Sequence, residues 1–311
     1  MKIWFDGEIR SQSDTPVSVK SHTLHYGTAV FEGIRSYLTP AGTTPFKLGM
    51  RIERLFRSAH ALGLEIPFSE GDLRCAVQQV LEENKLTDAY IRPLVFLGEG
   101  SMGLDVQTIE NANPVHVMIS AWEWVSYYDH GKMTGIRAVI SNYRRVFSSP
   151  ALAQAKASGH YLGSYCAHMD AKKGGYDEAI LLDEAGYLAE ASSANLFFVS
   201  RGEIFTPFVK HALSGITRQT VMKIGVDNGI RVTEQNCRPF SLLAADEAFL
   251  TGTACEIVPV IAVNGQRIGE GKVGEVTQLL AQKFSHLVRS AEQQSMSPQF
   301  SINQSSAPAI N

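Results

Sequence analysis

The residues best suited to do chemistry lie in Ala153–Leu162, A-Q-A-K-A-S-G-H-Y-L, where Lys156 sits among side chains too small to crowd it or to offer a counter-charge. Lysine is costly to bury as a cation, so an apolar setting lowers its pKa and leaves free amine able to form a Schiff base or take a proton. A solvated surface lysine is the ordinary alternative. Glu190, in L-A-E-A-S-S-A-N-L-F-F-V, ends one strand and precedes small residues that let a flat ligand come close to backbone. A carboxylate there could hold a protonated ring nitrogen, whereas an isolated glutamate at a strand end is more often a surface charge.

Two turns could hold anions. In L-S-G-I-T-R-Q-T a helix starts at Gly215, so backbone N–H groups and the Thr217 hydroxyl face whatever lies beyond its N-terminus. Ordinary N-capping explains the same residues without a ligand. The turn T-G-T-A, Thr251–Ala254, offers two hydroxyls around Gly252 or is simply a loop. Arg51, Arg54 and Arg57 read by charge patterning as solvated helix charges. His22 and His25 have the i, i+3 spacing of a metal pair, but no second ligand pair or acidic motif accompanies them, and no metal is expected.

Positioning these groups takes a mixed fold. Lys2–Phe5 and Glu8–Arg10 flank an Asp6-Gly7 turn, a hairpin signal. Ile52, Leu55, Phe56, Ala59 and Leu62 recur at helical spacing up to Gly63, as do Leu73, Ala76, Val77, Val80 and Leu81 before Asn84. The pattern predicts an α+β unit over 1–121, with two helices on a sheet. Tyr90–Leu97 reads as a strand with Tyr90, Arg92, Leu94 and Phe96 on one face, and Pro93 predicts an edge position or an irregularity. Another strand is expected at Val115–Ala121. The aromatic run W-E-W-V-S-Y-Y-D-H-G-K suits an interdomain loop over 122–132 lying against a cleft.

The second unit spans 133–290. It reads as strand Ile136–Ser141, helix Tyr161–Lys173 closed by Gly174-Gly175, and strands Glu178–Asp183, Tyr187–Glu190, Asn195–Ser200 and Glu203–Thr206. A helix from Gly215 to Asn228, strand Glu247–Leu250, an Asn264-Gly265 hairpin and helix Lys272–Arg289 follow. Residues 291–311, rich in Ser, Gln, Asn and Pro, are expected to be disordered.

Composition narrows the partners. With 28 basic and 31 acidic residues and a net charge of -3, the chain offers no basic stripe for nucleic acid and no polybasic patch for a membrane. Small molecules are the expected partners, and 311 residues that are 44% hydrophobic suffice for two cores. Cys75, Cys166, Cys237 and Cys255 lie far apart, as free thiols would in a reducing compartment. No signal peptide or membrane span is legible, so a cytoplasmic location is expected.

H-T-L-H-Y-G-T-A-V-F-E-G-I-R, Y-I-R-P-L, A-K-A-S-G-H-Y-L, E-A-S-S-A-N-L-F, L-S-G-I-T-R and T-G-T-A-C-E-I-V-P-V closely resemble, in order and spacing, the branched-chain aminotransferases among the fold-type IV pyridoxal-phosphate enzymes. The match covers about residues 3–290. The resemblance implies an α/β fold of the α+β type, a small α/β domain plus a larger pseudo-barrel domain that binds pyridoxal 5'-phosphate. It makes Lys156 the catalytic Schiff-base lysine, pairs Glu190 with the pyridine nitrogen, and sets Tyr161 on the cofactor's phenolic oxygen. Phosphate falls to Arg54, Gly215, Ile216, Thr217 and Thr253, with Ser193 and Leu213 lining the ring. Arg54 thereby becomes a ligand rather than a solvated charge.

For substrate, the resemblance implies Phe31, Gly33, Tyr90, Arg92, Trp124, Tyr127, Tyr161 and Ala254, with Tyr26, Met102 and Leu104 supplied by a neighbouring subunit. The assembly is then at least a homodimer, with a hexamer also open. Arg92 is expected to meet the distal carboxylate of glutamate while aromatic walls take leucine, isoleucine or valine. The implied reaction is ping-pong transfer from these L-amino acids to 2-oxoglutarate. Two positions depart from the family pattern: Ala194 before the asparagine, where an acidic or small polar residue is usual, and His160, where asparagine is frequent. D-amino-acid aminotransferases, (R)-amine transaminases and aminodeoxychorismate lyases share the fold and the lysine; Y-G-T-A-V-F-E-G-I-R and Y-I-R-P favour the branched-chain group. A catalytically silent cofactor-binding or assembly protein is the rival from another class.

Overall fold

A computed structural model describes residues 1–106, 112–124, 128, 134–147 and 149–290. Tyr127, most of the expected 122–132 loop and the 291–311 tail lie outside the described residues. Among the described residues the strands form two sheets. The first comprises β1 (Lys2–Phe5), β2 (Glu8–Ser11), β3 (Ala29–Phe31), β4 (Ile34–Thr39), β5 (Gly42–Pro45), β6 (Ala89–Leu97) and β7 (Val115–Glu123), in the order β2-β1-β7-β6-β4-β5, with β3 also on β6. One short helix, α1 (His22–Tyr26), and two long ones, α2 (Leu48–Ala61) and α3 (Glu70–Glu83), belong to this part.

The hairpin and both long helices form as their patterns predict. Asp6 and Gly7 both take positive φ, the geometry of a tight turn between twisted strands. Helix α3 begins at a capping box in which Ser69 and Asp72 bond each other's backbone N–H, and it buries Leu73, Ala76, Val77, Val80 and Leu81. Pro93 is not at an edge, since β6 lies between β7 on one side and β3 and β4 on the other. It stands where the partner changes from β3 to β4, and its carbonyl accepts from Glu32 N at 2.9 Å. The missing N–H therefore falls where the ladder is already broken.

The second sheet contains β8 (Ile136–Arg144), β9 (Glu178–Leu182), β10 (Leu188–Ala191), β11 (Asn195–Ser200), β12 (Glu203–Thr206), β13 (Val232–Glu234), β14 (Glu247–Gly252), β15 (Glu256–Val263) and β16 (Gln266–Arg267). Its order is β10-β9-β8-β15-β14-β11-β12-β13, with β16 on β15. Although far apart in that order, β10 and β11 are joined by a turn in which Ala191 N donates to Ala194 O at 2.7 Å. Bringing them together curls the sheet into the pseudo-barrel. Five helices accompany it among the described residues: α4 (Pro150–Gln154), α5 (Tyr161–Lys173), α6 (Ile216–Asp227), α7 (Pro239–Leu243) and α8 (Glu275–Arg289). Helix α8 starts later than the sequence pattern predicts because the Glu247 carboxylate accepts from Val276 N and Thr277 N, fixing the first turn there.

Buried side chains form a core under the first sheet, including Ile52, Leu55, Val77 and Ile91, and others within the barrel. A further cluster joins Tyr37 and Phe46 to Phe197, Phe249 and Phe284. Among the described residues no helix is long and apolar enough to cross a membrane.

Candidate active site

Lys156 is held by its backbone. Its carbonyl accepts from Phe31 N at 3.0 Å, and its own N–H donates to Ser58 Oγ on α2 at 3.0 Å. The small neighbours now have a packing reason: Ala153, Ala155 and Ala157 are buried, and Ala155 and Ala157 join the core of the first sheet. With the main chain clamped between β3 and α2, the side chain runs to Tyr161 at the start of α5, and Nζ donates to Tyr161 Oη at 2.7 Å. The segment itself offers no counter-charge, but the fold does, because the buried Glu32 and Glu190 both feel the Lys156 cation.

On one side of Lys156 lies a narrow polar pocket. It is lined by Arg54, Arg145, Tyr161, Glu190, Ser192, Ser193, Ala194, Asn195, Leu213, Gly215, Ile216, Thr217, Thr251, Gly252 and Thr253. Arg54, Glu190, Thr217 and Thr251 are buried. Arg54 uses Nε and Nη2 on the Glu32 carboxylate and Nη1 on Ser214 O at 3.1 Å, so its guanidinium is fixed in the pocket wall. Burial alone would push the Glu32 carboxyl up; the Arg54 charge and hydrogen bonds, with Lys156 and Arg51, outweigh it and hold the group below its ordinary range. Arg51 donates to Gly33 O at 2.6 Å and Thr253 Oγ1 at 2.8 Å, orienting that hydroxyl, while burial pushes its guanidinium down to about 10.

Glu190 is 5% exposed. Oε2 accepts from Asn195 Nδ2 and Leu213 N, each at 3.2 Å. Arg145 Nε stands 2.8 Å from Oε1, a buried ion pair that leaves the second lone pair of this oxygen without a donor among the described residues. Burial raises the Glu190 carboxyl, and the Arg145 charge, the Leu213 N–H, the Lys156 charge and the Arg145 side-chain contact pull it back only in part. Thr251 Oγ1 is likewise buried without a partner. A buried hydroxyl without a partner and a carboxylate with a spare lone pair beside one pocket suit a ligand with polar edges. The pocket also receives the start of α6, whose first N–H groups have no partner within the helix. Gly215 allows a close approach there, since a Cβ would fall 2.0 Å from Asn195 Oδ1.

On the other side lies an aromatic cavity of about 590 Å³, and the two spaces share Lys156, Tyr161, Ser193, Ala194 and Thr253. Phe31, Gly33, Tyr90, Arg92, Leu94, Met118, Trp122, Trp124, Tyr128, Ser158, Ala254 and Cys255 complete its wall. Rings support one another: Tyr90 lies 5.3 Å from Trp122 and 4.8 Å from Trp124, and Phe31 lies 4.8 Å from Tyr161. Trp124 Nε1 donates to Ala254 O at 3.1 Å. Gly33 permits the Tyr90 hydroxyl to sit where a Cβ would be, 2.0 Å away. The Arg92 guanidinium lies 4.5 Å from the Phe31 ring centre, and its buried Nε has no hydrogen-bond partner among the described residues.

Every expected cofactor residue, Arg54, Lys156, Tyr161, Glu190, Ser193, Leu213, Gly215, Ile216, Thr217 and Thr253, lines the polar pocket. Phe31, Gly33, Tyr90, Arg92, Trp124 and Ala254 line the aromatic one. Tyr26, Met102 and Leu104 line neither; they are 48%, 38% and 84% exposed, and Tyr26 Oη donates to Met102 O at 2.8 Å. Sequence reasoning assigned no role to Glu32, Arg145 or Asn195 and read Arg51 as a solvated charge, whereas it is buried and bonded to Phe46 O, Gly33 O and Thr253; these are the groups that hold the others in place. For Arg51 a signal existed: positions 51, 54, 55 and 58 recur at helical spacing, and all of them are buried on one stripe of α2.

Residues 29–263 match the family model described as amino-transferase class IV. The chain is 41% identical over 287 residues to the branched-chain-amino-acid aminotransferase of Pseudomonas aeruginosa, covering 92% of each. Among solved structures it superimposes on the branched-chain amino acid aminotransferase of Escherichia coli with a TM-score of 0.89 at 40% identity, covering 92% of this chain and 94% of that one. The branched-chain amino acid aminotransferase of Thermoproteus uzoniensis, solved with norvaline, gives 0.86 at 38% identity, covering 93% and 94%. A further branched-chain amino acid aminotransferase, solved in complex with N-(5'-phosphopyridoxyl)-L-glutamate, also gives 0.86, at 39% identity and the same coverage of 93% and 94%.

Proposed function

This chain belongs to the class IV aminotransferases, and from that premise we propose that it transfers the amino group of branched-chain L-amino acids to 2-oxoglutarate, with pyridoxal 5'-phosphate in the polar pocket. The observation that carries this reading is the position of Lys156 Nζ. It is held by Tyr161 at the junction between a pocket with anion and ring-nitrogen partners and a cavity walled by rings.

The residues present fit the cofactor. Arg54, the Ile216 and Thr217 amides, and the Thr217 and Thr253 hydroxyls suit a phosphate, and Glu190, which lines the pocket, suits a ring N–H. When bound, pyridoxal phosphate supplies an electron sink for the pair left at the substrate Cα. Lys156 takes the Cα proton and holds it at the junction, and Tyr161 Oη keeps the amine within reach. Glu190 keeps a negative charge facing the ring nitrogen. Phe31, Tyr90, Trp124 and Tyr161 exclude water from an aliphatic side chain, and Arg92, with its free Nε, meets the distal carboxylate of glutamate. The two half-reactions use one site, so the kinetics are ping-pong.

The reading includes a homodimer in which the exposed Tyr26, Met102 and Leu104 complete a neighbour's cavity. Purified protein with cofactor and 2-oxoglutarate should form glutamate from L-leucine, L-isoleucine and L-valine. Transfer only from D-alanine or an (R)-amine moves the enzyme to a sister group, and no transfer from any of them overturns the reading.

A further inference from the structure

Arg145 is a buried cation that the reading above leaves without a task. It is 8% exposed, just beyond the end of β8, where its backbone N–H donates to Leu182 O at 2.8 Å and pins it to β9. Its Nη1 reaches Ser164 Oγ on α5 at 3.1 Å and His160 O at 3.4 Å, and Cζ lies 4.9 Å from the Phe147 ring centre. A guanidinium held on so many sides brings Nε to 2.8 Å from Glu190 Oε1, a buried ion pair that still leaves that carboxylate oxygen a second lone pair.

We propose that Arg145 is a positioning residue for Glu190, a lasting counter-charge that keeps the buried carboxylate ionised while Oε1 retains a lone pair to accept a hydrogen bond from the polar pocket. The inference rests on the reading of that pocket as the place of the cofactor ring.

Charge and geometry point the same way. Desolvation favours the neutral carboxyl, and a protonated Oε1 would set a hydrogen against the ring N–H it is meant to receive. The other cation facing Glu190 is Lys156, which must be available as a free amine and cannot serve as a permanent partner. Arg54 lines the same pocket but is committed to Glu32, and Tyr161 is committed to Lys156. His160, beside Arg145, is kept neutral by burial and by the Arg145 charge, which lower its pKa. Asn195 and the Leu213 N–H hold Oε2, so the orientation of the carboxylate survives without Arg145 while its charge does not. A guanidinium suits the task because it stays protonated when buried.

The test begins on cofactor-free protein at neutral pH, where infrared spectroscopy separates a protonated buried carboxylic acid from a carboxylate. Wild type should lack the acid carbonyl band. Arg145→Met should show it, Arg145→Met/Glu190→Gln should lose it again, and Arg145→Lys should restore the wild-type spectrum. If Arg145→Met does not fold, Arg145→Gln, which keeps a donor for Ser164, should show the same band. A second readout is the affinity for pyridoxal phosphate, followed by fluorescence quenching. Arg145→Met should weaken it by about tenfold or more, the equivalent of one pKa unit at Glu190, and should add nothing in the Glu190→Gln background. No acid band in either uncharged variant, or an affinity loss that persists undiminished beside Glu190→Gln, would mean that Arg145 only packs β8 against α5, and the proposal would fall. If wild type fails to bind pyridoxal phosphate, the reading of the pocket fails instead, while the infrared band still reports the Arg145–Glu190 link.

Discussion

The polar pocket around Glu190 and the aromatic cavity around Tyr90 meet at the same five residues, yet different physics builds them. In the first, each working polar group is oriented by another buried group: Arg54 by Glu32, Thr253 by Arg51, Glu190 by Asn195 with Arg145 alongside. In the second, rings rest on rings, with one tryptophan hydrogen bond and one missing Cβ setting the shape. Removing one partner of a buried ion pair leaves an uncompensated charge, at about 3–5 kcal/mol. Trimming an apolar wall costs what a methylene or two is worth, about 1–3 kcal/mol. The polar region should therefore fail abruptly under mutation and the aromatic region should drift.

Five substitutions sharpen or break that contrast. Lys156→Ala removes the amine common to both regions and should lower turnover by roughly 10⁴-fold, the upper end of what a positioned base contributes. Circular dichroism should stay unchanged because the backbone clamp to Phe31 and Ser58 needs no lysine side chain. A variant that still turns over would remove Lys156 from its role.

Glu32→Gln should destabilise the cofactor-free protein by about 3 kcal/mol in urea unfolding, since it strips the counter-charge from buried Arg54. Phosphate offers Arg54 a new partner, so pyridoxal phosphate should recover part of the loss. The pH dependence has a definite sign. The Glu32 carboxyl is held below its unfolded value, so its stabilisation is complete above the ordinary carboxylate range and disappears as pH falls through the folded value. The Glu190 carboxyl is raised, so its contribution runs the other way: it favours folding most below the ordinary range and is lost as pH rises through the raised value. Thermal unfolding of Glu32→Gln and Glu190→Gln across acidic pH should thus differ from wild type with opposite slopes. Parallel slopes would contradict the assignment.

Gly33→Ala drives a Cβ into the Tyr90 hydroxyl and should cost about 1–3 kcal/mol of stability, with a raised KM for leucine as Tyr90 shifts into the cavity. Trp124→Phe loses the bond to Ala254 O while keeping most of the ring, and should change the leucine-to-valine ratio of kcat/KM by less than about tenfold. A collapse of all activity in Trp124→Phe would show that the aromatic wall is as intolerant as the ionic one.

The sequence was most legible where structure is local. Turn residues placed the Asp6-Gly7 and Asn264-Gly265 hairpins, both with positive φ, and Tyr161–Lys173 is a helix over the predicted span. The chemistry of Lys156 and Glu190 was legible only as a possibility, and family resemblance made it specific. What stayed hidden were pairings between distant segments. Arg54 and Arg57 look alike in I-E-R-L-F-R-S, yet one is buried on Glu32 and the other is an exposed partner of Glu53, a difference set by which stripe of α2 the fold buries. Arg145 follows another arginine at a strand end, where nothing local reveals that Glu190 will arrive beside it. Pro93 left two readings open, an edge or an irregularity, and the irregularity holds: the break between β3 and β4 that accommodates it is a property of the assembled sheet.

The account depends most on Lys156 being where the two regions meet and the cofactor attaches. Purified protein should be incubated with pyridoxal phosphate, reduced with borohydride, digested and analysed by mass spectrometry. The account predicts a phosphopyridoxyl mass on the peptide containing Lys156, lost when leucine is added before reduction; a label on another lysine, or none in a preparation that transaminates, would contradict it.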